Sequence, residues 1–227
     1  MKKIAIKTFI ISLLLLNINL AVFADNYSEA QQYIKKAKTA SIVEQSYDYL
    51  TKARTLLEKD YETDKTNIKL LMSLSEVFQL IGDRKEAKLF ILQAYNIEPN
   101  NMYVQKAMGD FYYNFQEYTT ALEYYKLSLL TGLLEDYETN IRVAECYEKL
   151  GDFENAEIYY QVVNYINPKS QAAQNKVNEY SSAKHPDNTQ KLEKAKYKYL
   201  FKDKQKTQEE TTNEETGKII TQINSAF

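Results

Sequence analysis

Between residues 68 and 170, apolar and polar positions recur with a helical period, and the same arrangement occurs three times. Each copy has a large apolar residue four positions before a polar turn, a small residue five positions after the turn begins, and a second large apolar residue four positions later. The turns begin at Gly82, Gln116 and Gly151, so the copies are 34 and 35 residues apart. A fixed period of this length indicates a repeat array. Each copy therefore predicts a helix, a short turn, a second helix and a stop.

The residue types explain how each copy would fold. The small residue lets two antiparallel helices approach closely. These small residues are Ala87, Ala121 and Ala156. Gly82 and Gly151 can end a first helix because glycine adopts the left-handed conformation at little cost. Pro99 and Pro168 prevent continuation of a second helix. Since one such pair cannot bury its apolar faces alone, successive pairs are predicted to stack.

The residues at matching positions of the copies carry a family resemblance. They are Leu74-Ser75, Phe78, Gly82-Asp83, Ala87, Ile91, Ala94 and Pro99, then Met108-Gly109, Tyr112, Tyr118, Ala121, Tyr125 and Ser128, then Val143-Ala144, Tyr147, Gly151-Asp152-Phe153, Ala156, Tyr160, Val163 and Pro168. Together they resemble the tetratricopeptide repeat family. The resemblance implies an all-α fold, an α-solenoid of stacked antiparallel helix pairs, with copies at 68–101, 102–136 and 137–170.

The sequence departs from the family pattern at two kinds of position. The position that often holds Trp in the family is occupied by Leu71, Gln105 and Asn140, and Leu133 stands where a Pro is expected. Neither change conflicts with helical hairpins. The second predicts a looser join around Thr131-Gly132, where the extra residue of the longer spacing also lies.

The segments on either side of the copies predict capping elements. Residues 25–67 have helical apolar stripes, and Ala53 lies 34 residues before Ala87, as a degenerate fourth copy requires. We therefore predict an N-terminal capping repeat, whose outer face is polar because it faces water. After the third copy, residues 171–183 predict an amphipathic helix that covers the last hairpin, so the array extends over 68–183.

The first 24 residues have the pattern of a secretory signal. Three lysines precede an apolar run from Phe9 to Phe23, and Val22-Phe23-Ala24 offers a cleavage site after Ala24. The predicted location is therefore secreted or periplasmic, and an uncleaved anchor is the alternative. Cleavage removes three lysines and no acidic residue, so the formal charge of −2 becomes more negative.

The C-terminal segment 184–227 begins with the helix-breaking stretch around His185-Pro186 and predicts a basic helix followed by a flexible tail. Residues 191–206 contain seven lysines against Glu193 and Asp203, interleaved with apolar and aromatic residues. This composition suits an anionic membrane surface, and it equally suits an acidic groove of this protein or of a second copy. A solvated linker is the third alternative.

Composition limits the chemistry that the chain can perform. A net charge of −2 and a pI near 5.7 disfavour a nucleic-acid partner. One Cys and one His give too few ligands for a zinc site of His and Cys clusters, so neither a metal nor another cofactor is predicted. No phosphate-binding loop or Ser-His-Asp set is visible, and the predicted protein is not an enzyme. Cys146 is predicted to be a small buried hydrophobe, with an intermolecular disulfide as the alternative.

The resemblance also implies where a partner would bind, because the first helices of such hairpins line a concave groove. The groove positions are Lys69, Met72, Glu76 and Gln79 in the first copy, Tyr103, Lys106, Asp110 and Tyr113 in the second, and Glu138, Ile141, Arg142 and Glu145 in the third. Glu76, Asp110 and Glu145 occupy equivalent positions and predict an acidic row. Such a row would attract a basic segment. The alternative is an ordinary solvated face.

Aromatic residues beside the acidic row suggest apolar contact with a peptide. Tyr103, Tyr113 and Met72 could provide it. The lysine and asparagine with which some relatives clamp a terminal carboxylate are missing, and only Arg142 is in place. The sequence predicts a non-catalytic extracytoplasmic protein that binds a protein or peptide as an adaptor or assembly factor of an envelope machinery. The alternative is a module held at a membrane surface by its basic tail or by an uncleaved anchor.

Overall fold

The computed structural model of this chain describes residues 26–182. The predicted signal (1–24), the predicted tail (184–227) and the last residue of the predicted capping helix lie outside the described residues. Within this range all regular secondary structure is helical. None of the helices in this range has the combination of length and hydrophobicity that crossing a membrane requires.

The described range contains nine α-helices and one short π-helical segment. They are α1 (26–39), α2 (Val43–Tyr61), α3 (Ile68–Ile81), α4 (Arg84–Ile97), α5 (Met102–Asn114), α6 (Tyr118–Ser128), the π-helical segment Leu129–Leu133, α7 (Tyr137–Lys149), α8 (Phe153–Ile166) and α9 (Gln171–Ser182). These helices fall into two compact units, one ending at Ile97 and the other beginning at Glu98.

The first unit contains α1 to α4. Helices α3 and α4 form the hairpin predicted for the first copy, and α2 packs against α3. The fully buried side chains Leu57, Leu74 and Ile91 belong to its core. Helix α1 joins α3 through a hydrogen bond from Gln31 Nε2 to Ser73 Oγ, at 2.8 Å.

The second unit contains α5 to α9. Helices α5 and α6 form one hairpin, α7 and α8 form the next, and α6 also packs against α7. Helix α9 packs against α8, and its Lys176 Nζ lies 2.7 Å from Glu148 Oε1 on α7. Within each unit, the second helix of a pair therefore contacts the helix that follows the pair, which is the stacking of an α-solenoid. The predicted fold class is confirmed.

The ends of the helices follow the predicted turn chemistry. Gly82 and Gly151 have φ values of 87° and 76°, in the left-handed region where glycine is favoured. Helices α4 and α8 end at Ile97 and Ile166, each two residues before a proline. Polar side chains cap the first helices of the hairpins by accepting hydrogen bonds from free backbone N–H groups. These caps are Asn67, Asn101 and Asp136.

The second copy has Gln116 where the other two copies have glycine, and its φ is 64°. A side chain in this conformation costs about 1–2 kcal/mol. Gln116→Gly is therefore expected to raise the free energy of unfolding by about 0.5–1 kcal/mol, because glycine removes the strain but also gains entropy in the unfolded chain. Urea denaturation measures the change.

Gly82→Ala is the matched control and should be destabilising. Its added methyl group has no atom within 4 Å, so the substitution introduces backbone strain without a steric clash. Equal stability of Gln116→Gly and the parent would contradict the expectation.

The position that often holds Trp in the family is buried in all three copies. Leu71, Gln105 and Asn140 are each 0% exposed. Gln105 Nε2 donates to the carbonyl oxygen of Pro99 at 2.8 Å, and Asn140 Nδ2 donates to that of Leu134 at 3.0 Å. Both bonds span six residues, so each amide fastens its helix to the preceding loop. The loop position matching Pro99 is thus Leu134, and the prediction of Leu133 was one residue too early.

The looser join predicted around Thr131-Gly132 is confirmed. Helix α6 ends at Ser128 and continues into the π-helical segment Leu129–Leu133. Thr131 Oγ1 donates to the carbonyl oxygen of Leu127 at 2.8 Å within this turn. The backbone kinks at Gly132, which has a non-helical φ of 164°, and this kink accommodates the additional residue while α6 still packs against α7.

The N-terminal helix pair differs from the copies in its proportions. The rings of Tyr33 and Tyr49 stack with centroids 6.1 Å apart, and Ser46 Oγ donates to the carbonyl oxygen of Ala37. Ala53 is fully buried, as predicted. However, Ala53 lies ten residues after the start of α2, whereas Ala87 lies three residues after the start of α4. The pair is therefore helical without repeating the lengths of the other hairpins.

Candidate functional site

The predicted groove residues of the second unit lie on one side of α5 and α7 and are partly or fully open to solvent. Their spacing of three or four residues places them on a single helical face. The residues between them, such as Met108 and Val143, are buried in the core. We call this set the α5–α7 face. It consists of Tyr103, Lys106, Asp110, Tyr113, Glu138, Ile141, Arg142 and Glu145.

One ion pair joins the two helices of the α5–α7 face. Lys106 Nζ on α5 lies 3.1 Å from Glu138 Oε2 on α7. The Lys106 side chain is only 21% exposed, whereas that of Glu138 is 78% exposed. Burial disfavours the ammonium charge, but the neighbouring carboxylates of Asp110 and Glu138 outweigh it and raise the pKa of Lys106. Lys106 is therefore a fixed cation, and Glu138 presents most of its surface to solvent.

A second contact between the helices involves Arg142. Its guanidinium group lies over the ring of Tyr113, 4.7 Å from the ring centroid, and its Nη1 donates to Glu145 Oε2 at 2.9 Å. A cation over an aromatic face is attracted by the ring quadrupole. Burial, together with the Glu145 carboxylate, raises the pKa of Tyr113 to about 12. Arg142 thus bridges an aromatic ring on α5 and a carboxylate on its own helix.

Asp110 is tied to the core beneath the face. The hydroxyl group of Tyr125 on α6 donates to Asp110 Oδ1 at 2.7 Å, and Tyr125 is fully buried. Burial is the main cause of the raised pKa of Tyr125, and the negative charge of Asp110 adds to it. The sequence predicts that Tyr125 lies in the core and that Asp110 lines the groove. In the structure a hydrogen bond connects these two side chains. Asp110 therefore has a structural role as well as a place on the face.

Each member of the predicted acidic row has a partner within its own unit. Glu76 pairs with Lys38 on α1, and Glu145 pairs with Arg142. Asp110 accepts the hydrogen bond of Tyr125. These contacts offset part of the negative charge that a basic segment would meet. Attraction of a basic partner by the row stays a prediction.

The predicted groove residues of the first unit lie on α3. Glu76 reaches Lys38, and Gln79 Nε2 donates to Ser75 Oγ at 3.0 Å. Lys69 is exposed near the start of the helix, and Met72 is half-buried. The four side chains therefore have different environments: those of Glu76 and Gln79 are held by these contacts, whereas that of Lys69 is open to solvent.

Chemically reactive groups are scarce in the described residues. No group of three His, Cys, Asp or Glu side chains between residues 26 and 182 is arranged to hold a metal ion. Cys146 is free and fully buried, as its interpretation as a small hydrophobe predicts. Burial, with the charge of Glu145, raises the pKa of this thiol to about 12. The thiol is therefore neutral and shielded at ordinary pH.

A comparison with protein families identifies one of the hairpins directly. The family model of the tetratricopeptide repeat matches residues 137–170, the limits predicted for the third copy. The third hairpin is a tetratricopeptide repeat. No curated protein matches the sequence. Tetratricopeptide repeats form protein-interaction scaffolds, with extended concave surfaces that bind partners.

Solved structures of tetratricopeptide repeat proteins resemble this chain in fold. PilF of Pseudomonas aeruginosa is 14% identical with a TM-score of 0.62, covering 80% of this chain and 74% of that protein. MamA is 12% identical with a TM-score of 0.53, covering 80% of this chain and 94% of that protein. A second MamA structure is 16% identical with a TM-score of 0.51, covering 74% and 95%. At these identities the likeness shows the tetratricopeptide repeat fold alone.

Proposed function

We propose that this tetratricopeptide repeat protein acts outside the cytoplasm, after removal of its signal, as a non-catalytic adaptor or assembly factor of an envelope machinery. Its partner is a protein or peptide segment that binds along the α5–α7 face. The N-terminal pattern of residues 1–24 supports the location. The tetratricopeptide repeat supports the role, since this class of repeat is a protein-interaction scaffold.

The observation that carries the proposal is the bracing of polar side chains across two successive hairpins. Lys106 is held by Glu138, and Arg142 is held by Tyr113 and Glu145. Side chains that are already ordered lose less conformational entropy when a partner binds. The α5–α7 face thus offers fixed charges of both signs.

An exposed aromatic side chain lies at one end of the same face. Tyr103, in the first turn of α5, is 55% exposed. A tyrosine offers a large apolar surface and a polar end at low conformational cost, which suits a binding contact. The partner predicted from this arrangement presents an apolar or aromatic side chain to Tyr103 and polar groups to the charged positions.

Affinity capture of the mature protein from its own envelope fraction tests the proposal. Tyr103→Ala is expected to reduce capture of one defined partner at least tenfold, because truncation of an aromatic residue that acts as a binding hot spot costs about 2–4 kcal/mol. Tyr165→Ala on α8 is the matched control, since Tyr165 is 51% exposed and lies outside the α5–α7 face. Equal capture by both variants and the parent would place binding elsewhere on the chain.

A charge reversal tests the electrostatic part of the proposal. Glu138→Lys is compared with Glu44→Lys, because both carboxylates lie in the first turn of a helix and are exposed. If the partner is basic, Glu138→Lys weakens capture and Glu44→Lys does not. Capture that Glu138→Lys strengthens would instead indicate an acidic partner, and the predicted basic character would be wrong.

The membrane-surface alternative rests on the composition of residues 191–206. Seven lysines attract anionic lipid, at about 1 kcal/mol for each basic residue near the surface. If this alternative holds, the mature protein sediments with vesicles that contain phosphatidylserine, and deletion of 184–206 abolishes sedimentation. Sedimentation that is unchanged by the deletion would exclude the tail as the attachment site.

A further inference from the structure

The turn between α1 and α2 exposes apolar side chains at one end of the N-terminal helix pair. Ile42, at the N-cap position of α2, is 57% exposed, and Val43 is 84% exposed. Tyr47, one helical turn further on, is 59% exposed and shares a helical face with Val43. Single exposed apolar residues are ordinary, but these three lie close together and form a patch. We call Ile42, Val43 and Tyr47 the α1–α2 tip.

Helix stability does not explain why apolar residues occupy the tip. Ile42 gives α2 no side-chain cap, although Ser41 precedes it and serine is among the preferred cap residues. Val43 is β-branched and ranks low in helix propensity. Neither residue stabilises the core, since both are exposed. Natural proteins depart from local rules in this way mainly at functional sites.

Aromatic rings and a cation lie one layer behind the tip. The rings of Tyr33 and Tyr49 stack, and Lys36 Nζ lies 5.3 Å from the Tyr33 centroid and 5.9 Å from the Tyr49 centroid. Position 49 is six residues after Val43, so at about 1.5 Å per residue this layer lies about 9 Å behind the tip along α2. From the tip inward, aliphatic side chains are therefore followed by aromatic rings with a cation.

The charges around the tip are positive on balance. Residues 35–52 contain four lysines and two acidic residues. Two of the lysines are held in ion pairs, Lys38 with Glu76 and Lys52 with Asp48. The other charged residues of this stretch are exposed, and they are Lys35, Lys36 and Glu44. The surroundings of the apolar tip therefore favour an anionic partner.

We propose that the α1–α2 tip inserts into the interfacial layer of an anionic lipid bilayer. Ile42 and Val43 enter the boundary between headgroups and acyl chains, Tyr47 lies among the headgroups, and Lys36 binds lipid phosphate. Amphipathic helices bury their apolar face about 5–10 Å deep in this boundary, with tyrosine and basic residues at headgroup level. The layers behind the tip have the same order and a similar depth.

The shape of the tip favours a bilayer over a peptide as its partner. Peptides bind in grooves or along the edges of sheets, whereas the tip is the protruding end of a helix pair. No residue of the tip belongs to the α5–α7 face or to residues 191–206. The inference therefore does not depend on the proposed adaptor role or on the basic tail.

Single tryptophan residues test the inference, because the chain contains none of its own. Tyr47→Trp is compared with Tyr165→Trp on α8, since the two tyrosines are 59% and 51% exposed. Both full mature chains are titrated with vesicles of phosphatidylcholine and phosphatidylglycerol. Emission from position 47 is expected to shift by roughly 10 nm to shorter wavelength and to be quenched by brominated acyl chains, because the ring leaves water. Emission from position 165 is expected to stay unchanged.

The absence of a shift at position 47, or equal shifts at both positions, would overturn the inference. A protein held to lipid by its tail alone would also give no shift at position 47. The measurement uses no protein partner, so failure to capture one on the α5–α7 face leaves this result unaffected.

Removal of the aliphatic side chains tests insertion. Ile42→Ser combined with Val43→Ser, in the Tyr47→Trp protein, is expected to lower vesicle affinity about tenfold because less apolar surface leaves water. Serine is a good helix cap, so α2 is not expected to lose stability. Ile97→Ser, at the other end of the first unit and 40% exposed, is the control. Equal affinity of the double variant and its parent would overturn the inference.

Removal of lysines tests the anionic character of the lipid. Lys35→Gln combined with Lys36→Gln is expected to lower affinity for the same vesicles at least about tenfold, because each basic residue near the surface adds to the attraction. The matched control combines Lys59→Gln with Lys69→Gln, since both lysines are exposed and lie at the end of α2 and the start of α3. Equal losses from the two pairs would overturn binding through the tip.

Discussion

Replacing Gly109 by alanine is expected to lower the free energy of unfolding of the second unit by about 2–3 kcal/mol. A Cβ atom at this position would lie 2.5 Å from Cδ1 and 2.6 Å from Cε1 of the Tyr125 ring. The ring is fully buried and is held by its bond to Asp110, so it cannot move without losing that bond. Overpacking costs about 1–3 kcal/mol and the lost hydrogen bond about as much again, while alanine returns about 1 kcal/mol as a better helix former.

Urea denaturation followed by circular dichroism measures this effect. A second substitution, Tyr125→Leu, removes the ring that the new methyl group meets. In the Tyr125→Leu background, Gly109→Ala is expected to cost little or to be stabilising. A single Gly109→Ala variant as stable as the parent would contradict the close approach of α5 to the Tyr125 ring.

Asp110→Ala is expected to be destabilising by about 2–3 kcal/mol, because it leaves the buried Tyr125 hydroxyl group without an acceptor. Asp110→Asn keeps an acceptor oxygen at the same position and should cost less than about 1 kcal/mol. Tyr125→Phe completes the comparison because it removes the hydroxyl group. When Asp110→Ala is added to Tyr125→Phe, no hydroxyl group is left without an acceptor. Denaturant midpoints of the parent, Asp110→Ala, Tyr125→Phe and the double variant measure the coupling between the two side chains, and Asp110→Asn is measured beside them.

Equal losses for Asp110→Ala and Asp110→Asn would show that the hydrogen bond is not the cause. The expected result also limits how the face can be tested. Reversing the charge of the acidic row at Asp110 disturbs the core and the surface together, whereas reversing Glu138, whose side chain is 78% exposed, disturbs its ion pair with Lys106 rather than the core.

The helical hairpins could be predicted because their determinants lie close together along the chain. The alanine that follows each turn and the large apolar residues on either side recur at fixed spacing, and each hairpin follows from that local pattern. The stop after α6 is different, since Leu133 and Leu134 are chemically alike. Only the bond from Asn140 to the carbonyl oxygen of Leu134 shows which of them occupies the position that matches Pro99.

The contacts of the candidate face could not be predicted in the same way. Lys106 and Glu138 are 32 residues apart, and their pairing depends on how α5 and α7 are placed. The sequence indicates which residues point away from the core, but it assigns Asp110 and Tyr125 to different environments. The hydrogen bond between them connects a side chain on the face to one in the core, and no periodic pattern in the sequence predicts it.

The N-terminal pair shows a further limit of spacing arguments. The distance of 34 residues between Ala53 and Ala87 predicts a degenerate fourth copy. In the structure α2 has 19 residues and α4 has 14, so the two alanines lie at different points along their helices. Equal spacing therefore predicted a helix pair correctly, but it did not predict the lengths of the two helices, which only the structure shows.

Site-specific photo-crosslinking from position 103 tests the central claim most directly. A photoreactive phenylalanine derivative replaces Tyr103 in the mature protein, with the same replacement of Tyr165 as the control, and both are irradiated in the native envelope. If a partner binds along the α5–α7 face, position 103 gives one defined crosslinked protein and position 165 does not. Identical patterns from the two positions, or no crosslinked protein from position 103, would contradict binding at this face.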